Sequence, residues 1–340
     1  MKILAADVGG TNTRLGYYAW SSEGLHLMAL ERFNSHEHKN LAAIVRKSVS
    51  AQNLTVDSAC FGVAGPVQDG RSELPNLGWK IDARVLARTL DFPSVCVIND
   101  LEANAYGLML LEPKDLLPLK DGAPRGKGNK ALLSAGTGLG EAGLYWDGIQ
   151  HRPFATEGGH GDFAPRSELE VELLLYLKRE FDHVSYEPVL SGNGLHNIYR
   201  FLRDTGRGQE QTWVRQELRQ GDAGAILSRL ALEDQDRLSV EALDIFVSLF
   251  GAEAGNLALG VMATGGVYLG GGIAPKIATK LRSQTFSDSF VKKGRLAPLL
   301  ETIAVSIILN EDTALLGAAH VAAQQALCRQ GKAAEGQHSV

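Results

Sequence analysis

Short apolar runs broken by polar turns open the chain. Ile3, Leu4 and Ala5 predict a buried strand and Leu15 to Trp20 its hairpin partner, which leaves the polar stretch Asp7 to Arg14 (DVGGTNTR) on the turn between them. Leu25 to Phe33 predicts a third strand. Asn40 caps an amphipathic helix through Gln52, with Leu41, Ile44, Val45 and Val49 on one face. Ala59 to Val67 reads as a central strand, Asp82 caps a helix through Leu90, and Ser94 to Ile98 is another buried strand that ends at Asn99 and Asp100. Leu101 to Leu111 reads as a helix, so the order is βββαβα.

The same order starts again at Lys130. Ala131 to Ser134 is a strand, residues 135–140 (AGTGLG) a glycine-rich turn, Glu141 to Trp146 the returning strand, and Gln150 to Ala155 the third. Leu119 to Lys130, rich in Gly, Pro, Lys and Arg, reads as the connection between the copies. Helices follow over Ser167 to Phe181 and Gly194 to Leu202, and the polar run Gly206 to Asp236 predicts surface helices. Ser239 caps a long helix whose Leu243, Phe246, Val247, Phe250, Leu257 and Val261 keep a 3.6-residue stripe, a face available for a subunit interface. Val267 to Leu269 is a strand that runs into Gly270-Gly271-Gly272, and Ile303 to Leu309 is the last strand. Glu311 and Asp312 suit the positive end of a final helix whose buried face is Leu315, Leu316, Ala319, Ala323 and Ala326.

Length argues for two lobes, because 340 residues exceed what one core serves. The expected division is a small α/β lobe of residues 1–110 with about 301–328, a larger lobe of 111–300, and a disordered tail over 329–340. No apolar segment is read as approaching the roughly 20 residues of a bilayer span, and the start carries no signal-peptide pattern, so a cytoplasmic protein without a membrane partner is expected. A net charge of −5 with no basic stripe argues against a nucleic-acid partner. Cys60, Cys96 and Cys328 show no paired spacing; the first two sit in apolar strands as buried free thiols.

Chemistry gathers at the turns. Gly9 and Gly10 let peptide N–H groups approach an anion, Thr11 and Thr13 add hydroxyls, Arg14 adds a cationic fork, and Asp7 is placed to hold a hydrated metal beside the same phosphates. The spacing matches neither a Walker A loop nor a dinucleotide fingerprint. Asp100 lies at a helix start, where the helix dipole favours negative charge, and serves as a cap, a base, or both. Phosphoryl transfer to a hydroxyl needs a carboxylate that orients the nucleophile and takes its proton, which makes Asp100 the candidate base with Asn99 beside it. Glu157-Gly158-Gly159-His160 presents two polar side chains on a flexible backbone, suited to adjacent sugar hydroxyls; a zinc site starting at His160 lacks its partner cysteines.

Three glycine-bearing turns that each follow a strand, at 7–14, 135–140 and 270–274, together with the duplicated order, resemble the two phosphate loops and the adenosine loop of the actin, sugar-kinase and hexokinase superfamily. That resemblance implies an α/β fold of two ribonuclease-H-like lobes with ATP and sugar in the cleft between them. More closely, residues 7–14, 74–79 (LPNLGW), 97–107 (VINDLEANAYG), 136–140, 157–160 and 269–273 resemble the bacterial glucokinases of the hexokinase type over nearly the whole chain. The resemblance implies ATP-dependent phosphorylation of D-glucose at its 6-hydroxyl, the first step of glycolysis. Asp100 is then the base, and Asn99, Asp100, Glu157, His160 and Glu187 hold the sugar. Ala6, Asp7, Val8, Gly9, Gly10, Thr11, Arg14, Thr137, Gly138, Gly270 and Gly271 line the nucleotide, and Asp7 meets Mg²⁺ through water. It also implies a homodimer. ROK kinases share the Glu-x-Gly-His element but follow it with a zinc-binding cysteine cluster, whereas this chain has no cysteine between 96 and 328. Another hexose, an N-acetylhexosamine, or sugar-independent ATP hydrolysis are the alternatives.

Overall fold

The computed structural model of the chain describes residues 1–122 and 126–337, with side chains through 330. Two compact units form: Met1–Glu112 with Asp312–Val340, and Pro113–Glu311.

In the first unit, β1 (Lys2–Val8), β2 (Asn12–Ser21) and β3 (Gly24–Asn34) form an antiparallel meander. After α1 (Leu41–Gln52), strand β4 (Ser58–Val63) pairs parallel to β1. The hairpin of β5 (Arg71–Leu74) and β6 (Trp79–Asp82) and then α2 (Ala83–Leu90) lead into β7 (Val95–Asn99), parallel to β4, and on to α3 (Asp100–Leu108). The sheet order is β3-β2-β1-β4-β7. Asn40 and Asp82 cap α1 and α2 as the pattern predicts. The central strand is shorter than expected: it stops at Val63, ahead of Gly65 and Pro66. The residues after it form a hairpin that periodicity alone did not separate from a loop.

One face of this sheet is covered by α1 and α2 through Leu41, Ile44, Val45 and Leu86. The other is covered by the C-terminal helix Thr313–Gln337, whose Ala314, Leu315, Ala318, Ala319, Ala322 and Ala323 are buried against Ile3, Ala5, Cys60 and Cys96. Small residues let this helix approach α3 closely. A methyl on Gly107 would strike the Thr313 carbonyl, and one on Gly317 would strike that of Ala103. The helix passes through the segment expected to be disordered and reaches Gln337; residues 338–340 lie outside the described ones.

The second unit repeats the strand order. Strands β8 (Leu116–Lys120), β9 (Lys130–Ala135), β10 (Leu139–Trp146), β11 (His151–Thr156), β12 (Val267–Gly270) and β13 (Val305–Ile308) pair as β11-β10-β9-β12-β13-β8. β9, β10 and β11 correspond to the first meander, while β12 and β13 run parallel to β9 as β4 and β7 run parallel to β1. Two expectations are corrected here. Val305–Ile308 pairs with β12 and β8, so the chain leaves this unit at Glu311 rather than near 301. Leu119 and Lys120 belong to β8 rather than to the linker; the linker's residues 123–125 lie outside the described ones.

Helices α4 (Glu168–Leu177), α5 (Gly192–Asp204), α6 (Thr212–Leu218), α7 (Ala223–Leu232) and α8 (Arg237–Gly260) separate β11 from β12, and α9 (Ala278–Leu281), α10 (Gln284–Val291) and α11 (Ala297–Glu301) precede β13. Asp236, not Ser239, caps α8: its Oδ2 accepts from the Ser239 backbone N–H at 2.8 Å and from the Ser239 hydroxyl at 2.6 Å. By length and composition α8 meets the test for a membrane span, contrary to the expectation of no such segment. Its apolar face is nevertheless spent inside the unit, where Leu243, Phe246 and Phe250 are fully buried at about 1.5–3 kcal/mol each. That face is closed to a subunit interface.

Candidate active site

The turn between β1 and β2 is built by register. Asp7 faces Arg14 and Val8 faces Thr13 across the hairpin, and the Gly9 N–H donates to the Asn12 carbonyl at 2.9 Å. Gly10 has open space where a side chain would stand. Ala6 and Val8 are fully buried, so they offer a ligand only backbone. Thr13 is buried as well and bonds Ser35, whose hydroxyl donates to the Gly9 carbonyl at 3.0 Å; it braces the turn instead of presenting a hydroxyl to phosphate.

Arg14 also departs from expectation. Its Nε and Nη2 donate to Asp7 Oδ2 at 3.2 and 2.8 Å, and its Nη1 donates to Asp312 Oδ1 at 3.0 Å. The fork read as a phosphate clamp therefore grips two carboxylates, which fixes Asp7 in place and ties the turn to the head of the C-terminal helix. Asp312 was read from sequence only as a dipole partner. The pairing spans nearly the length of the chain, and local pattern carries no trace of it.

Asn99 and Asp100 divide the start of α3 between them. Asn99, nearly buried, is the cap: its Oδ1 accepts from the N–H groups of Leu101 at 2.8 Å and Glu102 at 3.2 Å, while its Nδ2 donates to the Gly65 carbonyl at 3.1 Å. Asp100 is the first helical residue, half-buried, and its Oδ1 accepts from the Leu101 N–H at 2.9 Å. The capping role weighed for Asp100 belongs to Asn99. Asn99's amide is committed to backbone: it caps α3 and carries the 65 loop.

In the second unit three segments converge. β9 ends in the turn 136–138, closed by a Gly136 N–H to Gly138 carbonyl bond at 2.9 Å. β12, paired to β9, ends at Gly270, and Gly271 follows at φ +79°, where a side chain would strike the Ala135 carbonyl. Gly270 and Gly271 thus lie beside the turn that carries Thr137 and Gly138.

Glu157, exposed, opens a 3-10 turn over Gly158–His160, and His160 is also exposed. Gly159 is buried within that turn, and its carbonyl accepts from the Glu187 N–H at 3.0 Å; the Tyr186 N–H likewise reaches the Gly161 carbonyl at 3.1 Å. Glu187 then turns its carboxylate to the other segment, accepting from the Leu139 N–H at 3.0 Å. These bonds join the turn that carries Glu157 and His160 to the segment of Glu187, whose carboxylate lies beside Gly138. Among the described residues no group of three or more His, Cys, Asp or Glu gathers to hold a metal.

The comparisons with known proteins agree with one another. A family model described as Glucokinase matches residues 4–325. A glucokinase of Nostoc punctiforme is 42% identical over 337 residues, covering 95% of this chain and 99% of its own. The crystal structure of a glucokinase from an Antarctic psychrotroph aligns with a TM-score of 0.81 at 30% identity, over 95% of this chain and 99% of that one. A ROK family glucokinase from Streptomyces griseus, solved with glucose and AMPPNP, shares the fold at a TM-score of 0.65 and 20% identity, over 95% of this chain and 100% of that one. On the family match and the full-length relatives, this chain belongs to the glucokinase family.

Proposed function

We propose that the chain transfers the γ-phosphoryl group of ATP directly to the 6-hydroxyl of D-glucose. Asp100 is the base: it accepts the hydroxyl proton as the sugar oxygen bonds to phosphorus and the bond to the ADP oxygen breaks, with no phosphorylated enzyme. Glu157, His160 and Glu187 hold sugar hydroxyls, and Asn99 caps the helix that begins at Asp100. Backbone over residues 6–11, with Thr137, Gly138, Gly270 and Gly271, takes the nucleotide. The observation that carries the reading is the start of α3, where Asn99 supplies the cap and Asp100, the next residue, stands half-buried in the first turn.

Asp7 suits a hydrated Mg²⁺. It is a partly exposed carboxylate with Arg14 on one oxygen, and Mg²⁺ takes one or two carboxylates along with waters and phosphates. When bound, the ion offsets phosphate charge. Arg14 supports this by holding Asp7, not by contacting phosphate.

The deciding experiment is ADP release and sugar phosphate formation measured with and without glucose, then with a panel of hexoses and N-acetylhexosamines under saturating Mg-ATP. Turnover that needs glucose supports the reading; ATP hydrolysis independent of any sugar, or preference for another sugar, overturns it. By the same resemblance we assign a cytoplasmic homodimer, which sedimentation tests as twice the 36.5 kDa chain mass.

A further inference from the structure

Beneath the sugar loop lie two carboxyl groups that the reaction does not use. Glu141 on β10 and Glu253 on α8 are both almost fully buried, 4% and 6% exposed, and stand close enough that each carboxyl acts on the other. Two ionised carboxylates are acceptors only, so contact between them needs a proton. Glu141 Oε1 is buried with no other donor. Glu253 is better supplied: its Oε2 accepts from Asn256 Nδ2 at 2.8 Å, and the same amide donates to the Tyr186 hydroxyl at 2.9 Å. Lys293 stands behind, donating to Asn256 Oδ1 at 2.5 Å and to the Ala252 carbonyl at 2.8 Å, with Arg166 and Glu170 as the next charges.

From this geometry we infer that Glu141 and Glu253 are positioning residues that share one proton, carried by Glu141, and that the neutralised pair holds the Glu157–His160 loop and Glu187 in sugar-binding position. The contact with the loop is direct. A methyl on Gly158 would collide with the Glu141 carboxyl, so the loop backbone rests on that side chain, and the Thr156 hydroxyl ties the same stretch to the Glu141 carbonyl at 3.1 Å. On the other side, Asn256, which also bonds Glu253, donates to the hydroxyl of Tyr186, the residue before Glu187.

Burial, then the charge of Glu253, lifts Glu141 far above the ordinary carboxylate range, and burial raises Glu253 too. With Glu141's pKa raised in the fold, its contribution to stability is full below the ordinary carboxylate value and is lost as pH rises through the raised one. Loss of the shared proton places two charges in a dry pocket under the loop.

The inference rests on the proposed sugar site, so its test has two readouts. The first is glucose KM from neutral to alkaline pH for the natural chain, for Glu141→Gln, which imitates the protonated acid, and for Glu253→Gln, which also cannot carry two charges. The natural chain is expected to lose glucose affinity by roughly tenfold over about two pH units while either variant stays within about twofold. Equal slopes in all three overturn the inference. The second readout needs no sugar: the fall in melting temperature with rising pH is steeper in the natural chain than in Glu141→Gln. It decides the shared proton even if glucose turnover is absent, an outcome that would overturn the proposed function alone; identical melting profiles reject the pair.

Discussion

Glu187 Oε2 accepts a hydrogen bond from the backbone N–H of Leu139 at 3.0 Å while the Glu187 N–H donates to the Gly159 carbonyl at 3.0 Å, so one residue bridges the turn read as a phosphate site and the loop read as a sugar site. A methyl on Gly138 would lie 2.5 Å from the same oxygen, whereas one on Gly136 meets nothing within 4 Å. Gly138→Ala is therefore expected to reduce kcat/KM by roughly 10- to 100-fold and to raise KM for both substrates, with Gly136→Ala far milder. Steady-state kinetics on the pair checks this, and equal effects would remove the bridge from the account.

Asp100→Asn keeps shape and removes proton acceptance. Turnover is expected to fall by roughly 10²- to 10⁴-fold while glucose binding, followed by calorimetry, persists. Near-normal turnover would show that another group is the base.

Arg14→Lys replaces a planar fork with a single ammonium, which cannot grip Asp7 twice and Asp312 at once. The Mg²⁺ concentration for half-maximal activity is expected to rise by about tenfold, with glucose affinity in the absence of nucleotide unchanged. A weakened glucose affinity and an unaltered Mg²⁺ requirement would refute the positioning role given to Arg14.

Cys60 and Cys96 are opposite one another on β4 and β7, free and buried, and burial pushes the Cys60 thiol well up; Cys328 is free and exposed. A thiol reagent should titrate one cysteine in the native chain and three in denaturant. Reaction of more than one in the native state would place Cys60 or Cys96 nearer solvent than described.

The elements that were legible in sequence are those whose signals are local. Asn40 and Asp82 each precede an apolar stripe and each caps a helix, and both meanders follow from strand, glycine turn and strand. What was misread depends on partners far along the chain. Asp236 and Ser239 are equally good caps on paper, and only the buried Ser239 hydroxyl bonding back to Asp236 decides between them. Arg14 has the composition of a phosphate ligand until Asp312 arrives from 298 residues away. Glu141 lies in an apolar strand pattern that says nothing of the second glutamate meeting it from α8.

The C-terminal helix that lies across β1 and β4 has a consequence for how the molecule is made. Ribosomal synthesis delivers the strands of the first unit long before the helix Thr313–Gln337 that shields Ile3, Ala5, Cys60 and Cys96 from water. The unit that bears Asp100 therefore cannot close until the whole of the intervening unit, Pro113–Glu311, has been made, and a stop codon ahead of Thr313 would leave its sheet uncovered on one face.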